Sequence, residues 1–154
     1  MTTCIDQEVV IRQLTEKIER TASARQRTML ERVREHANAE AAGSLQGLMN
    51  TLSSNPAYHF WDMQAGDIGP NGRDGVSAYY SHFVKTRQHF LEYNCDRIIV
   101  DDEHVVMEAV LKLVVPGDVL AANPMLTAMD INEGDHYLMT LRNLVIWPFD
   151  DKLM

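Results

Sequence analysis

The first third of the chain repeats its apolar positions with the period of an α-helix. Val10, Leu14 and Ile18 recur at steps of four, and Met29, Val33 and Ala37 continue the pattern, so the spacing predicts helix from Ile5 to about Ala42. No proline interrupts it, and Thr21-Ala22-Ser23-Ala24 is the weak point where one long helix could break into two. Gly43-Ser44 punctuates the end, with Ser44 placed to cap a short helix from Leu45 to Leu52. Ser53-Ser54-Asn55-Pro56 then predicts a turn, and the short aromatic run Tyr58 to Trp61 predicts a strand. Gly66 to Gly72, with Pro70, predicts a loop. A third helix follows, marked on one face by Val76, Tyr79, Tyr80, Phe83 and Arg87, with Asp74 in its first turn where the helix dipole favours a carboxylate.

From His89 onward the pattern changes to that of a sheet. Arg97-Ile98-Ile99-Val100 and Val105 to Val115 are rich in β-branched residues, and Asp101-Asp102-Glu103 between them predicts a hairpin turn. Pro116 to Asp135 is a long polar and glycine-containing excursion, expected to form a flap or pocket rim. Tyr137 to Phe149 predicts another strand, and Asp150-Asp151 the start of a further hairpin. Helices first and a run of strands afterwards define an α+β fold with helices on one face of an antiparallel sheet.

Composition narrows the function. A chain of 154 residues, 45% hydrophobic and 23% charged, suits one domain with a sizeable core. A formal charge of −8 argues against a nucleic-acid binder. Arg20, Arg25, Arg27, Arg32 and Arg34 do cluster, but they alternate with Glu19, Glu31 and Glu35, the pattern of a solvated helix face. Met1 to Leu14 lacks a signal-peptide core, and no stretch is apolar for the length of a membrane span. Cys4 and Cys95 stand far apart, outside any CxxC pattern, so neither a disulfide framework nor a zinc site is expected. The histidines show neither HxH nor HExxH spacing. The expectation is a reduced, cytoplasmic protein without metal, cofactor, nucleic-acid or membrane partner.

Three stretches carry a resemblance to a known family. They are Val33 to Phe60 (VREHANAEAAGSLQGLMNTLSSNPAYHF), Asn71 to Phe83 (NGRDGVSAYYSHF) and Asp96 to Leu113 (DRIIVDDEHVVMEAVLKL). Together with Leu141 to Met154 they resemble the nuclear transport factor 2-like superfamily, and within it the SnoaL-like polyketide cyclases and ketosteroid isomerase-like proteins. The resemblance implies a curved antiparallel sheet forming a cone around a pocket, closed by the N-terminal helices, as in the NTF2-like and cystatin-like folds. It implies a SnoaL-like domain over residues 24–154, preceded by a helical extension over residues 1–23. The chain stops where the family turns into its last strand, so that strand is expected to be missing, and a homodimer is expected.

The resemblance also assigns roles. Asp62 falls where isomerase-like enzymes keep a general-base aspartate; a carboxylate at an apolar wall, beside Phe60 and Trp61, is raised in pKa toward the working range. His36 falls where the pattern has a tyrosine that donates to the developing oxyanion, a role histidine can fill. The plainer alternative for His36 is a contact with Glu40 or water. The second oxyanion donor, an acid, falls on Val145 here, which argues against steroid-type isomerisation. Epoxide hydrolase-like members need an arginine and an aspartate two apart, where this chain has Glu108-Ala109-Val110-Leu111. Tyr58, Phe60, Trp61, Tyr79 and Tyr80 are expected to line the pocket, with Phe83, Tyr93, Tyr137 and Val145 further round it. Glu108 is counted with them, although an acid in an apolar strand needs a partner, for which Lys112 and Arg142 are the candidates. The expected function is cofactor-independent cyclisation, isomerisation or dehydration of a small, mostly apolar carbonyl compound. The alternative is a non-catalytic ligand-binding or dimerisation module.

Overall fold

The computed structural model of the protein describes residues 5–62, 65–122, 126 and 129–151, with the side chain of Asp62 outside the described part. Four helices precede or interrupt the sheet: α1 (Val9–Arg20), α2 (Ala24–Ala41), α3 (Leu45–Asn50) and α4 (Gly72–Lys85). A two-stranded ribbon, β1 (Trp61–Asp62) with β2 (Gly66–Asp67), lies between α3 and α4. The main sheet is β3 (Leu91–Val100), β4 (His104–Pro116) and β5 (His136–Pro148), antiparallel in the order β3-β4-β5, with the short α5 (Gly117–Ala121) after β4.

The helical stripes form as the spacing predicts. Val10, Leu14 and Ile18 bury one face of α1, and Met29, Leu30, Val33 and His36 bury one face of α2. The break falls at Thr21 to Ser23, where the Ser23 hydroxyl accepts from Gln26 N–H and satisfies one of the free donors that open α2. Gly43 ends the α2 corner with φ +61°, a left-handed conformation that costs glycine little, and Ser44 caps α3 by accepting from Gly47 N–H.

The sheet turns Val105, Met107 and Ala109 of β4 inward, into one core with α1 and α2, and Leu113 and Val115 are buried further along the same strand. On β3 the inward set is Leu91, Tyr93 and Cys95, then Ile98 and Val100. The pairing shifts register between Cys95 and Arg97, and this bulge at Asp96 keeps the apolar residues on the core side when their spacing changes. The outer edge of β3 is covered from α1. Gln13 donates from Nε2 to the Cys95 carbonyl at 3.0 Å and accepts from Cys95 N–H at 2.9 Å, as a neighbouring strand would.

Two local expectations need correction. Tyr58 to Trp61 is not a strand of the main sheet. Of this run only Trp61 falls in a strand, β1, whose partner Gly66–Asp67 lies inside the predicted loop. A single bridge at Ala57–Asn71 and the Ile68 N–H to Phe60 carbonyl bond continue the pairing outside it. Flanking Pro56 and Pro70 supply no N–H for a longer ladder, and the segment is held instead by Tyr58 N–H donating to the Pro70 carbonyl. Helix α3 stops at Asn50, where Thr51 folds its hydroxyl back onto the Leu48 carbonyl. Part of the predicted flap, residues 123–125, 127 and 128, lies outside the described residues, as does Cys4.

Candidate functional site

The chemistry-bearing side chains meet where α2, α3 and α4 face the inner side of the sheet. His36, buried in the middle of α2, contacts Thr51 Oγ1 through Nδ1 at 2.7 Å and Tyr80 Oη through Nε2 at 2.8 Å. Tyr80 Oη lies 2.8 Å from Tyr58 Oη. Trp147 on β5 sets the edge of its ring against the imidazole, with centroids 4.9 Å apart.

The polarity of this chain follows from its anchored end. Thr51 Oγ1 is 2.7 Å from the Leu48 carbonyl oxygen, which can only accept, so the single threonine proton is spent there. Thr51 therefore accepts from His36 Nδ1–H, His36 Nε2 accepts from Tyr80, and the Tyr80 oxygen accepts from Tyr58. The reverse polarity would set two oxygens 2.7 Å apart with no proton between them. His36 is consequently the neutral Nδ1–H tautomer, and burial agrees, pulling its pKa from 6.5 down to about 4. The outer end of the chain is the Tyr58 oxygen, which keeps a free lone pair.

Aromatic rings connect this buried chain to the surface. Phe60, 38% exposed, packs on Tyr58 and Tyr79, which are partly buried and pack on Tyr80. Phe83 stacks on Tyr79 and joins the cluster of Leu48, Met49 and Val76. Burial also raises the tyrosines, Tyr79 to about 12 and Tyr58 and Tyr80 further, so the cluster is uncharged at neutral pH.

The sequence reading missed Glu40. One turn beyond His36, it continues the buried stripe Met29, Val33, His36 of α2. The residue is half-buried, its carboxyl oxygens are not fully cut off from solvent, and it has no side-chain hydrogen bond or ion pair among the described residues. Desolvation pushes its pKa from 4.5 up to about 7, and its place in the last turn of α2, at the negative end of the helix dipole, acts in the same direction. Its charge opposes ionisation of Tyr58, Tyr79, Tyr80 and Tyr93, so those hydroxyls lie within its electrostatic reach. The expected His36–Glu40 contact is replaced by the contacts to Thr51 and Tyr80. The available signal was the 29-33-36-40 spacing.

The other expected residues scatter. The backbone of Asp62 pairs with Gly66 in the ribbon, and its distance to His36 falls outside the described part. Trp61 is 78% exposed and stacks on His59. Val145 is half-buried against the main core, and Tyr93 donates toward the Met107 carbonyl and Asn143 Oδ1. Tyr137 lies near the start of β5, where its hydroxyl accepts from Asn132 N–H at 2.8 Å. Glu108 is on the outer face of the sheet, away from His36, paired with Arg97 at 2.7 Å and Arg142 at 3.5 Å. Lys112 pairs with Glu92 instead. Two surface cavities lie apart from the buried chain, one of about 290 Å³ between α1 and β3 and one of about 470 Å³ between α3 and α4. Among the described residues, no His, Cys, Asp and Glu side chains gather as a metal site, and no helix is long and apolar enough to cross a membrane.

Solved structures place this architecture. A protein assigned to the SnoaL-like polyketide cyclases from Shewanella denitrificans superposes with a TM-score of 0.59 at 16% identity, over 81% of this chain and 82% of that one. An NTF2-like protein of unknown function from Burkholderia pseudomallei gives 0.56 at 17%, over 80% and 82%. A ketosteroid isomerase-like protein from Erwinia carotovora gives 0.53 at 9%, over 85% and 88%. No family model matches the sequence, and no curated protein does either. The fold is NTF2-like: α+β, with helices packed on an open, curved antiparallel sheet.

Proposed function

We propose that the protein is a cofactor-independent cyclase, isomerase or dehydratase acting by acid–base chemistry on a small, mostly apolar carbonyl compound. The observation that carries this reading is the buried chain from Thr51 through His36 and Tyr80 to Tyr58, a line of uncharged, orientated hydrogen bonds in an otherwise apolar interior. Buried polar groups are costly unless paired, and this chain is paired throughout except at the Tyr58 end, where aromatic rings lead to the surface. Both ring nitrogens of His36 are occupied, so it acts by positioning Tyr80 and Tyr58. Asp62 is assigned the base by resemblance, at the ribbon beside Phe60. A ligand reaches Tyr58 by parting the Phe60, Tyr58 and Tyr79 rings.

Deuterium exchange tests the reaction class. A cyclic β,γ-unsaturated ketone incubated in D₂O should exchange the hydrogens alpha to its carbonyl faster with protein than in buffer. Asp62→Asn should slow that exchange by at least about 100-fold, the usual contribution of a general base. Exchange no faster than buffer across neutral ketones would remove the enzymatic reading.

A second reading, a dimerisation module, has its own support. The outer face of the sheet exposes Ile99, Leu144 and Ile146, at 54%, 61% and 56%, with Ile99 and Ile146 flanking Val106 in register. A contiguous apolar patch of this kind fits a second copy of the chain.

A further inference from the structure

The two edges of the main sheet differ. β3 is covered from α1, where Gln13 bonds to both backbone groups of Cys95. At the other edge β5 runs for 13 residues, with no strand beyond it among the described residues. Its free hydrogen-bonding groups can be assigned. Phe149 N–H donates to the Glu103 carbonyl at 2.7 Å, one step past the His104–Pro148 pair, and the pairing keeps one register along all of β5. Bonded and unbonded pairs alternate in an antiparallel ladder, so the odd-numbered residues of β5 bond to β4. The N–H and C=O groups of Leu138, Thr140, Arg142, Leu144 and Ile146 therefore point away from β4, along the open edge.

Nothing on β5 guards that edge. Isolated edge strands are normally protected by charges, prolines or bulges. Here the pairing with β4 has no bulge, and the strand holds no proline before Pro148. Arg142 is its one Lys, Arg, Asp or Glu, and it lays its guanidinium back across β4 onto Asp96 of β3 at 2.6 Å. The alternate row from Tyr137 to Trp147 is only half-buried, whereas Val105, Met107 and Ala109 beside it on β4 are buried.

We propose that β5 pairs antiparallel with β5 of a second copy of the chain, about a two-fold axis at Asn143, joining two three-stranded sheets edge to edge. The register follows from the side chains. A two-fold axis normal to the sheet brings inner residues against inner and outer against outer, so the axis falls between two copies of one residue. Centring it on Arg142 would set two arginines opposite each other, which is destabilising. Centring it on Asn143 pairs the one amide of the inner row with itself, and an amide both donates and accepts. Leu141 then meets the partner's Val145, and Met139 the partner's Trp147. Thr140 and Arg142 exchange backbone bonds with the partner's Ile146 and the partner's Leu144, and Leu138 donates to the partner's Pro148. Every free N–H from Leu138 to Ile146 gains an acceptor. Because the β3 edge is covered, the assembly closes at two copies rather than growing into a filament. The inference is independent of the small-molecule reading, and it sets the second copy at the sheet edge rather than over the outer face.

The test uses the intact chain. Sedimentation across a dilution series should show a monomer–dimer equilibrium. Thr140→Pro removes an edge N–H that β4 does not use and spares the apolar outer patch. It should weaken association about 30-fold, for two hydrogen bonds lost per dimer. Ile99→Glu, on the outer face of β3, should leave association unchanged. Hydrogen exchange at Leu138, Thr140, Arg142, Leu144 and Ile146 should slow as concentration rises. The register is read by cross-linking, which stands even where the proline variant fails to fold. Chains carrying Thr140→Cys and Ile146→Cys separately, each with Cys4→Ser and Cys95→Ser, should form a mixed disulfide when oxidised together. Neither should couple to itself, since its two copies lie about 20 Å apart in this register. A monomer at every concentration, a dimer lost in Ile99→Glu but kept in Thr140→Pro, or self-coupling of either cysteine chain alone would overturn the proposal. Slow exchange at the even-numbered residues in the monomer would overturn it too, since a segment of the same chain would then cover the edge.

Discussion

Replacing Glu40 by glutamine should change how stability depends on pH. The carboxyl titrates at about 7 in the fold against 4.5 when free. The folded state therefore holds a proton that the unfolded state has released, and stability falls as pH rises from 4.5 through 7. A shift of that size corresponds to about 3 kcal/mol. His36 acts in the opposite direction. Its pKa falls from 6.5 to about 4, so its contribution is present above 6.5 and is lost as pH drops toward 4, again by about 3 kcal/mol. In the wild type the two slopes oppose each other between about pH 4.5 and 6.5. Glu40→Gln removes one and leaves the other. Urea unfolding followed by tryptophan fluorescence at half-unit steps from pH 4 to 8.5 gives the difference between variant and wild type, in which every other titrating group cancels. That difference should grow in favour of the variant by about 3 kcal/mol across the range. A constant difference would refute the buried, unpaired carboxyl; a difference that shrinks with rising pH would mean that Glu40 is ion-paired in the fold.

Tyr80→Phe breaks the chain at its centre, leaves His36 Nε2 without a donor, and should lower stability by about 1–3 kcal/mol in thermal or urea unfolding. Trp147→Phe removes a buried donor that has no partner among the described residues, so unfolding should change by less than about 1 kcal/mol. Ile146→Glu places a charge in the outer apolar patch and should abolish any concentration-dependent dimer in sedimentation; a wild type that stays monomeric at high concentration would end the dimer reading. Leu30→Ala, at a fully buried position of α2, should cost about 2–5 kcal/mol, read in the same unfolding assay.

The helices and the main sheet were legible because each buries one face and that burial imposes a period. Leu14 and Ile18 or Met29 and Val33 can reach the core only at helical steps, and the β4 alternation Val105, Met107, Ala109 only at steps of two. The ribbon was not legible, because strands of two residues carry no period and Gly66 reads as a turn. At the site, His36 and the Tyr79-Tyr80 pair stood out as chemistry on predicted helices, and the structure joins His36 to Tyr80. Their links to Thr51 and Tyr58 come from residues 15 and 22 positions away, which spacing along one helix cannot reveal. Glu40 was hidden for a different reason. In a helix already rich in Glu and Arg, an acid reads as surface, and only the packing around the end of α2 desolvates this one. Glu108 was counted with the pocket because it stands in an apolar strand; its anticipated pairing with Arg142 is present, joined by Arg97, on the outer face of the sheet.

The central claim is that the hydrogen-bond chain from His36 to Tyr58 ends at a small-molecule site. A crystal structure of the protein soaked with acetophenone tests it directly. The account predicts density for the probe against Tyr58, Tyr79 and Tyr80, with its carbonyl group at the Tyr58 end of the chain. Density confined to the cavities beside α1 or α3, or an interior that stays closed around His36 at saturating probe, would contradict it.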